Sequence, residues 1–121
     1  MQELNKVFLM GRLGNDPEIQ RSQKGSPYAR LSVATHRKRK GLEGEEATQT
    51  SWHTVFVWGK QGEICATFLK KGAPVLVEGF LSSYSVQNGK GDPQWKSSIT
   101  ADRVSFLSPK ATNSVEHKFD S

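Results

Sequence analysis

The sequence holds one cysteine, Cys65. A single thiol cannot close an intrachain disulfide, and it cannot build a cysteine-rich zinc site. Chains without disulfides suit a reducing compartment. Long apolar runs are missing too. No stretch approaches the roughly 20 residues of a membrane helix, and the start, MQELNKVFLM, has none of the anatomy of a secretory signal. The expectation is a cytoplasmic protein with no membrane partner. His36, His53 and His117 stand at no metal-ligand spacing, and neither HxxxH nor HExxH occurs. There is no GxSxG elbow and no GxxxxGKS/T phosphate loop. No metal, no cofactor and no catalytic residue is therefore expected, which leaves binding as the function class.

Acidic residues are fewer than basic ones. Twelve Asp and Glu face 17 Lys and Arg, giving a net charge of +5 and a pI near 9.5. That balance favours a polyanionic partner, such as nucleic acid or an anionic surface. At 121 residues and 35% hydrophobic content, the chain fits one domain with a modest core.

One stretch carries most of the information: Thr50–Lys60, TSWHTVFVWGK. Read as a strand, Trp52, Thr54, Phe56 and Trp58 share one face, while His53, Val55 and Val57 share the other. If the valines face the core, the rings form an exposed row, and such a row is a binding surface. If the rings face the core, they are ordinary packing. Periodicity alone leaves both readings open.

The rest of the chain supplies the frame. Asn5–Leu13 reads as a first strand, its run Val7–Met10 suggesting burial on both sides or a curve through a barrel. Ile19–Pro27 reads as a polar connection, and Tyr28–His36 as a second strand. Arg37–Gln49 reads as a long charged loop, with nothing to place in a core. After the ring strand, Gln61–Leu69 has helical spacing. Ile64, Cys65, Phe68 and Leu69 fall on one face, with Gly72 as the residue closing the helix. Pro74–Leu81 is a fourth strand, Ser82–Gln94 a second loop or hairpin arm, and Trp95–Leu107 a fifth strand. The expected fold is all-β: an OB-fold, a five-stranded Greek-key barrel with one short helix between strands three and four. An SH3-like barrel or an irregular sandwich also fits the pattern. The domain is expected over 1–108 and a polar tail over 109–121.

Basic residues gather around the ring strand. Arg37, Lys38, Arg39 and Lys40 precede it, and Lys60 follows it. Lys70 and Lys71 end the helix, and Lys6 and Arg12 lie on strand one. In a barrel these can converge on one groove and follow a phosphate backbone. The plain alternative is a solvated loop and scattered surface charges. His53, on the valine face, reads as a hydrogen-bonded core or interface histidine.

Five segments together resemble the bacterial and mitochondrial single-stranded-DNA-binding protein family: NKVFLMGRLGNDPE (5–18), SVAT (32–35), TSWHTVFVWGK (50–60), FLKKGAPVLVEGFL (68–81) and ITADRVSFLS (99–108). The resemblance implies an OB-fold, a homotetramer (a dimer being the other possibility), and sequence-tolerant binding of single-stranded DNA in replication, recombination and repair within the nucleoid. It assigns Trp52 and Trp58 to base stacking, with Phe56 and Tyr84 as further candidates. It matches Lys6, Lys60 and Lys71 to backbone contacts, and His53 to a subunit interface beside Asn5 and Val7. Arg39 and Val86 stand where many members carry stacking tryptophans. The family's Gly/Pro/Gln-rich linker and acidic tip have no counterpart in the ending HKFDS: either the chain is truncated or it belongs to a tail-less branch, and tail-mediated protein recruitment is doubtful. The rival expectation is an OB-fold assembly module that docks replication proteins and binds nucleic acid weakly.

Overall fold

The computed structural model describes residues 1–107. The polar tail expected over 109–121, with His117, lies outside the described residues. The elements run β1 (Val7–Leu13), β2 (Glu18–Arg21), β3 (Pro27–Lys40), β4 (Glu46–Trp58), α1 (Gly59–Phe68), β5 (Pro74–Gln87) and β6 (Pro93–Phe106). Five strands circle a closed barrel in the order β1-β5-β6-β4-β3, and β3 returns to β1 through Arg12↔Ala34 and Leu13↔Val33. β4 and β6 meet in parallel at Val55↔Ile99 and Phe56↔Thr100. The other pairings are antiparallel. The helix lies between the third and fourth barrel strands, so the architecture is the expected OB-fold.

Alternation builds the core. Leu31 and Val33 of β3, Val55 and Val57 of β4, and Val75 and Val77 of β5 all point inward and are buried. Burial of such side chains is worth about 1.5–3 kcal/mol each. α1 adds Cys65 and Leu69 to the same cluster. It approaches closely because of Gly62, where a Cβ would run into the Val57 carbonyl oxygen and the Ala29 nitrogen. Near Gly79 the β5–β6 register shifts by a bulge between Glu78 and Gly79, which bends the sheet toward closure.

Three expectations need correction, and two open alternatives, at β1 and at 82–94, are decided. β1 is not buried on both sides: Phe8 and Met10 are exposed, and Val7 and Leu9 turn toward the core. The apolar run hid an ordinary alternation. The supposed connection at 19–27 contains β2, whose Glu18–Arg21 pairs with Pro27–Arg30. It is exposed along its length, so no apolar pattern announced it.

The charged loop at 37–49 is mostly strand. Arg37↔Gln49 through Lys40↔Glu46 continue the β3–β4 ladder, and the turn closes with the Gly41 N–H donating to the Glu45 carbonyl at 2.7 Å. Likewise 82–94 is a hairpin arm of β5 and β6, closed at Asn88, whose Oδ1 accepts from the Lys90 and Asp92 N–H groups at 2.8 and 3.1 Å. Backbone ladders sustain both arms where neither face meets a core.

The helix differs as well. Its inner side is Gly62, Cys65 and Leu69, while Ile64 and Phe68 are 40% and 69% exposed. The close approach at Gly62 centres the contact on the Cys65 and Leu69 side and leaves Ile64 and Phe68 on the flank. The helix ends with Leu69 as its C-cap, and Gly72 falls in the following turn, its N–H donating to the Leu13 carbonyl at 2.8 Å. Lys70 and Lys71 therefore lie beyond the last helical turn.

Two outcomes follow from the helix seat. Gly62→Ala should cost about 1–3 kcal/mol of stability through overpacking, read as a lowered urea midpoint. Burial pushes the Cys65 thiol up from 9.0 to about 11. A raised folded-state value means this contribution is intact below pH 9 and is lost as pH rises toward 11. Denaturation curves across that range should show a fall in stability that is smaller in Cys65→Ala.

Candidate nucleic-acid interface

Val55 and Val57 have no solvent exposure, whereas Trp52 and Trp58 are 62% and 45% exposed. The ring face of β4 is thus the outer face of the barrel. Cross-strand register extends it over β3, with Tyr28 opposite Trp58, Arg30 opposite Phe56, Ser32 opposite Thr54, and Ala34 opposite Trp52.

Phe56 is the half-buried centre of an aromatic cluster. Tyr28 and Tyr84 meet it edge-on, at centroid distances of 5.8 and 5.2 Å. Tyr28 also leans on Trp58 at 4.6 Å and 38°. Edge-to-face pairs of this kind are worth about 0.5–1.5 kcal/mol beyond their buried area. The Tyr28 hydroxyl donates to Gln20 Oε1 at 2.7 Å, so β2 fixes that ring. The four rings line a groove of about 470 Å³ that also includes Ser82 and Thr100. Ser82 Oγ lies 3.0 Å from Ser98 Oγ and 2.9 Å from Thr100 Oγ1. The floor is therefore both apolar and rich in paired hydroxyls.

Trp52 stands apart, toward the β3–β4 arm. Its ring lies over Gly14, where a Cβ would strike the six-membered ring. Glycine at that position lets the indole rest against the end of β1. Trp52 is therefore held at one edge and open elsewhere.

The expected basic residues distribute unevenly. Strand alternation splits the run at 37–40: Lys38 and Lys40 share the Trp52 face, and Arg37 and Arg39 take the other. Arg39 donates to Gln49 Oε1 at 3.3 Å. Lys60 is exposed on the first turn of α1, two residues past Trp58. Lys70 and Lys71 are exposed after the helix, and the Lys71 N–H donates to Asp16 Oδ1 at 2.8 Å. Lys6 sits 5.4 Å above the Phe8 ring. Arg12 donates to the Gly72 carbonyl at 3.0 Å. None of these cations lines the aromatic groove; Arg21 does.

Tyr28, Arg21 and Arg30 escaped the sequence reading. The signal for Tyr28 and Arg30 was present, since pairing Tyr28 with Trp58 puts both on the ring face. Arg21 depended on β2, whose sequence carries no apolar period. Tyr84 was expected as a stacking ring, and it forms a wall of the groove.

The expected interface residues are engaged within the chain. Asn5 clamps β5 twice, donating from Nδ2 to the Leu81 carbonyl at 2.8 Å and accepting the Leu81 N–H at 2.9 Å. Val7 packs against the core. His53 is half-buried, with Nε2 2.9 Å from Thr35 Oγ1. Among the described residues, no group of three His, Cys, Asp or Glu side chains converges as a metal site.

Comparison with known proteins agrees with this geometry. The chain is 39% identical over 104 residues to a single-stranded DNA-binding protein of Xanthomonas campestris, covering 86% of this chain and 60% of that one. It is 37% identical over 108 residues to single-stranded DNA-binding protein 1 of Chlorobaculum tepidum, covering 88% of this chain and 67% of the relative. The chain thus spans about 60% of the length of the Xanthomonas relative. A Plasmodium falciparum SSB solved in complex with ssDNA superposes with a TM-score of 0.74 at 27% identity, covering 88% of this chain and 97% of that one. The profile of the Single-strand binding protein family matches residues 4–107. By that match and these identities, the chain belongs to the single-strand binding protein family.

Proposed function

We propose that this chain is a non-enzymatic protein that binds single-stranded DNA with tolerance for sequence, and that it protects such DNA in replication, recombination and repair. The observation that supports this most is the outward ring face of β4. Every base has a flat π face, so stacking is worth about 1–3 kcal/mol per base whatever the sequence. Trp52 and Trp58 are the exposed platforms of that face. Phe56 is its floor, and Tyr28 and Tyr84 are the walls beside it. Lys38, Lys40 and Lys60 flank the rings and attract phosphate, with Lys70 and Lys71 farther along. Arg37 and Arg39 act from the other face of the arm. Lys6 and Arg12 have a smaller part, because Arg12 is already engaged at Gly72. Relatives named as single-stranded DNA-binding proteins, and a neighbour solved with ssDNA, support the same reading.

The reading extends to a homotetramer located at the nucleoid, with Asn5, Val7 and His53 at subunit contacts. The exposed side chains of Phe8 and Met10 on β1 favour assembly, since an apolar strand face left in water marks an interaction surface.

Titration with poly(dT) should quench tryptophan fluorescence, and duplex DNA should bind far more weakly. Equal affinity for both would overturn the reading. The log affinity should fall with log salt by about 0.7 for each phosphate neutralised. Trp52→Ala should weaken poly(dT) binding by about 1–3 kcal/mol. Light scattering should return the mass of four chains, and a single-chain mass would remove the assembly part of the proposal.

A further inference from the structure

A row of three hydroxyls crosses the floor of the aromatic groove, and register explains it. Ser82 lies opposite Ser98 in the β5–β6 ladder, and Thr100 follows two pairs on, opposite Phe80. Thr100 is also level with Phe56, where β6 meets β4. The row therefore runs beside the ring that floors the groove, and Tyr28, Trp58 and Tyr84 line the same space. At about 470 Å³, that space falls within the range of small-ligand sites. Ser98 is 4% exposed, while Ser82 and Thr100 are half-buried at the groove lining.

Ser82 Oγ bonds to both neighbours, and in each bond either oxygen can be the donor. A hydroxyl carries one proton to donate and two lone pairs to accept with. The chain Ser98–Ser82–Thr100 can thus run in two senses. When Ser98 donates to Ser82 and Ser82 to Thr100, the Thr100 O–H is left to donate into the groove. In the reverse sense Thr100 donates to Ser82 and offers a lone pair to the groove. The switch needs only rotation of O–H bonds, and no heavy atom moves. A carboxylate only accepts and a guanidinium only donates, so neither has this freedom. Bases differ in the donors and acceptors on their edges. A contact of fixed polarity would favour some bases, and a reversible one favours none. We infer that the Ser82–Ser98–Thr100 chain is a polarity-reversible contact for the edge of a base stacked against the groove rings, with Thr100 as the hydroxyl that meets it. The groove then offers a hydrogen bond to any base, where the rings alone offer only stacking. This rests on the single-stranded DNA reading above and adds binding residues to the same site. The competing account is structural: cross-strand hydroxyl pairs hold β5 to β6 and touch no base.

The test uses oligomers of equal length, one of dT and one with every thymine replaced by difluorotoluene, a ring of the same shape that hardly hydrogen-bonds. The ratio of dT to difluorotoluene affinity should fall about two- to tenfold in Thr100→Val, the worth of one net hydrogen bond. Thr100→Ser keeps the hydroxyl and should keep the wild-type ratio. Thr100→Ala should behave as the valine variant does, and it serves if valine does not fold. In Thr100→Val, affinities for dC and dA oligomers should fall by about the same factor as that for dT. An unchanged dT to difluorotoluene ratio overturns the inference, because the hydroxyls then serve the sheet alone. A loss confined to one base also overturns it, because the contact then has fixed polarity. In both cases binding of dT by wild type leaves the single-stranded DNA reading standing. If wild type binds none of the oligomers, both proposals fall.

Discussion

The zero exposure of Val55 and Val57 is the constraint on which the rest depends. Side chains of a strand alternate with a period of two, and a slip of one residue would reverse every one of them. Two valines locked in the core therefore fix four positions outside it. Trp52, Thr54, Phe56 and Trp58 face outward because their neighbours cannot. The same two valines sit where β4 touches β6 and where α1 closes down at Gly62. Core packing and surface chemistry are set by one short segment.

That segment was the most legible part of the sequence. Strong alternation over Trp52–Trp58 stated the strand and its two faces, and only the direction of the faces stayed open. The helix was also legible, though its inner side was not. Ile64 and Phe68 fit the helical spacing as well as Cys65 and Leu69 do, and the narrow contact at Gly62 decides between them. The arms were the least legible. Arg37–Lys40 and Glu46–Gln49 are exposed on both sides, so no apolar period marks them as strand. Their structure comes from a ladder begun in the barrel and extended outward.

The site shows a similar division. Trp52 and Trp58 could be named from β4 alone. Tyr28 and Arg30 could be named only once β3 was paired with β4 in register, because a residue's face depends on its partner. The groove is thus a product of five strands, β2 to β6. The basic run at 37–40 illustrates the reverse. Four consecutive cations look like one patch in sequence, and strand geometry divides them equally between two faces.

The two arms have a consequence for how such a protein changes over generations. They carry side chains that contribute almost nothing to the core, so their substitution is nearly uncoupled from barrel stability. Residues such as Lys38, Arg39, Val86 and Trp95 can drift in size and charge while Val55, Val57 and Gly62 stay fixed. A lineage can therefore retune what the arms touch without first acquiring spare stability. The barrel acts as the chassis, and the arms are where side chains can change at little cost to it.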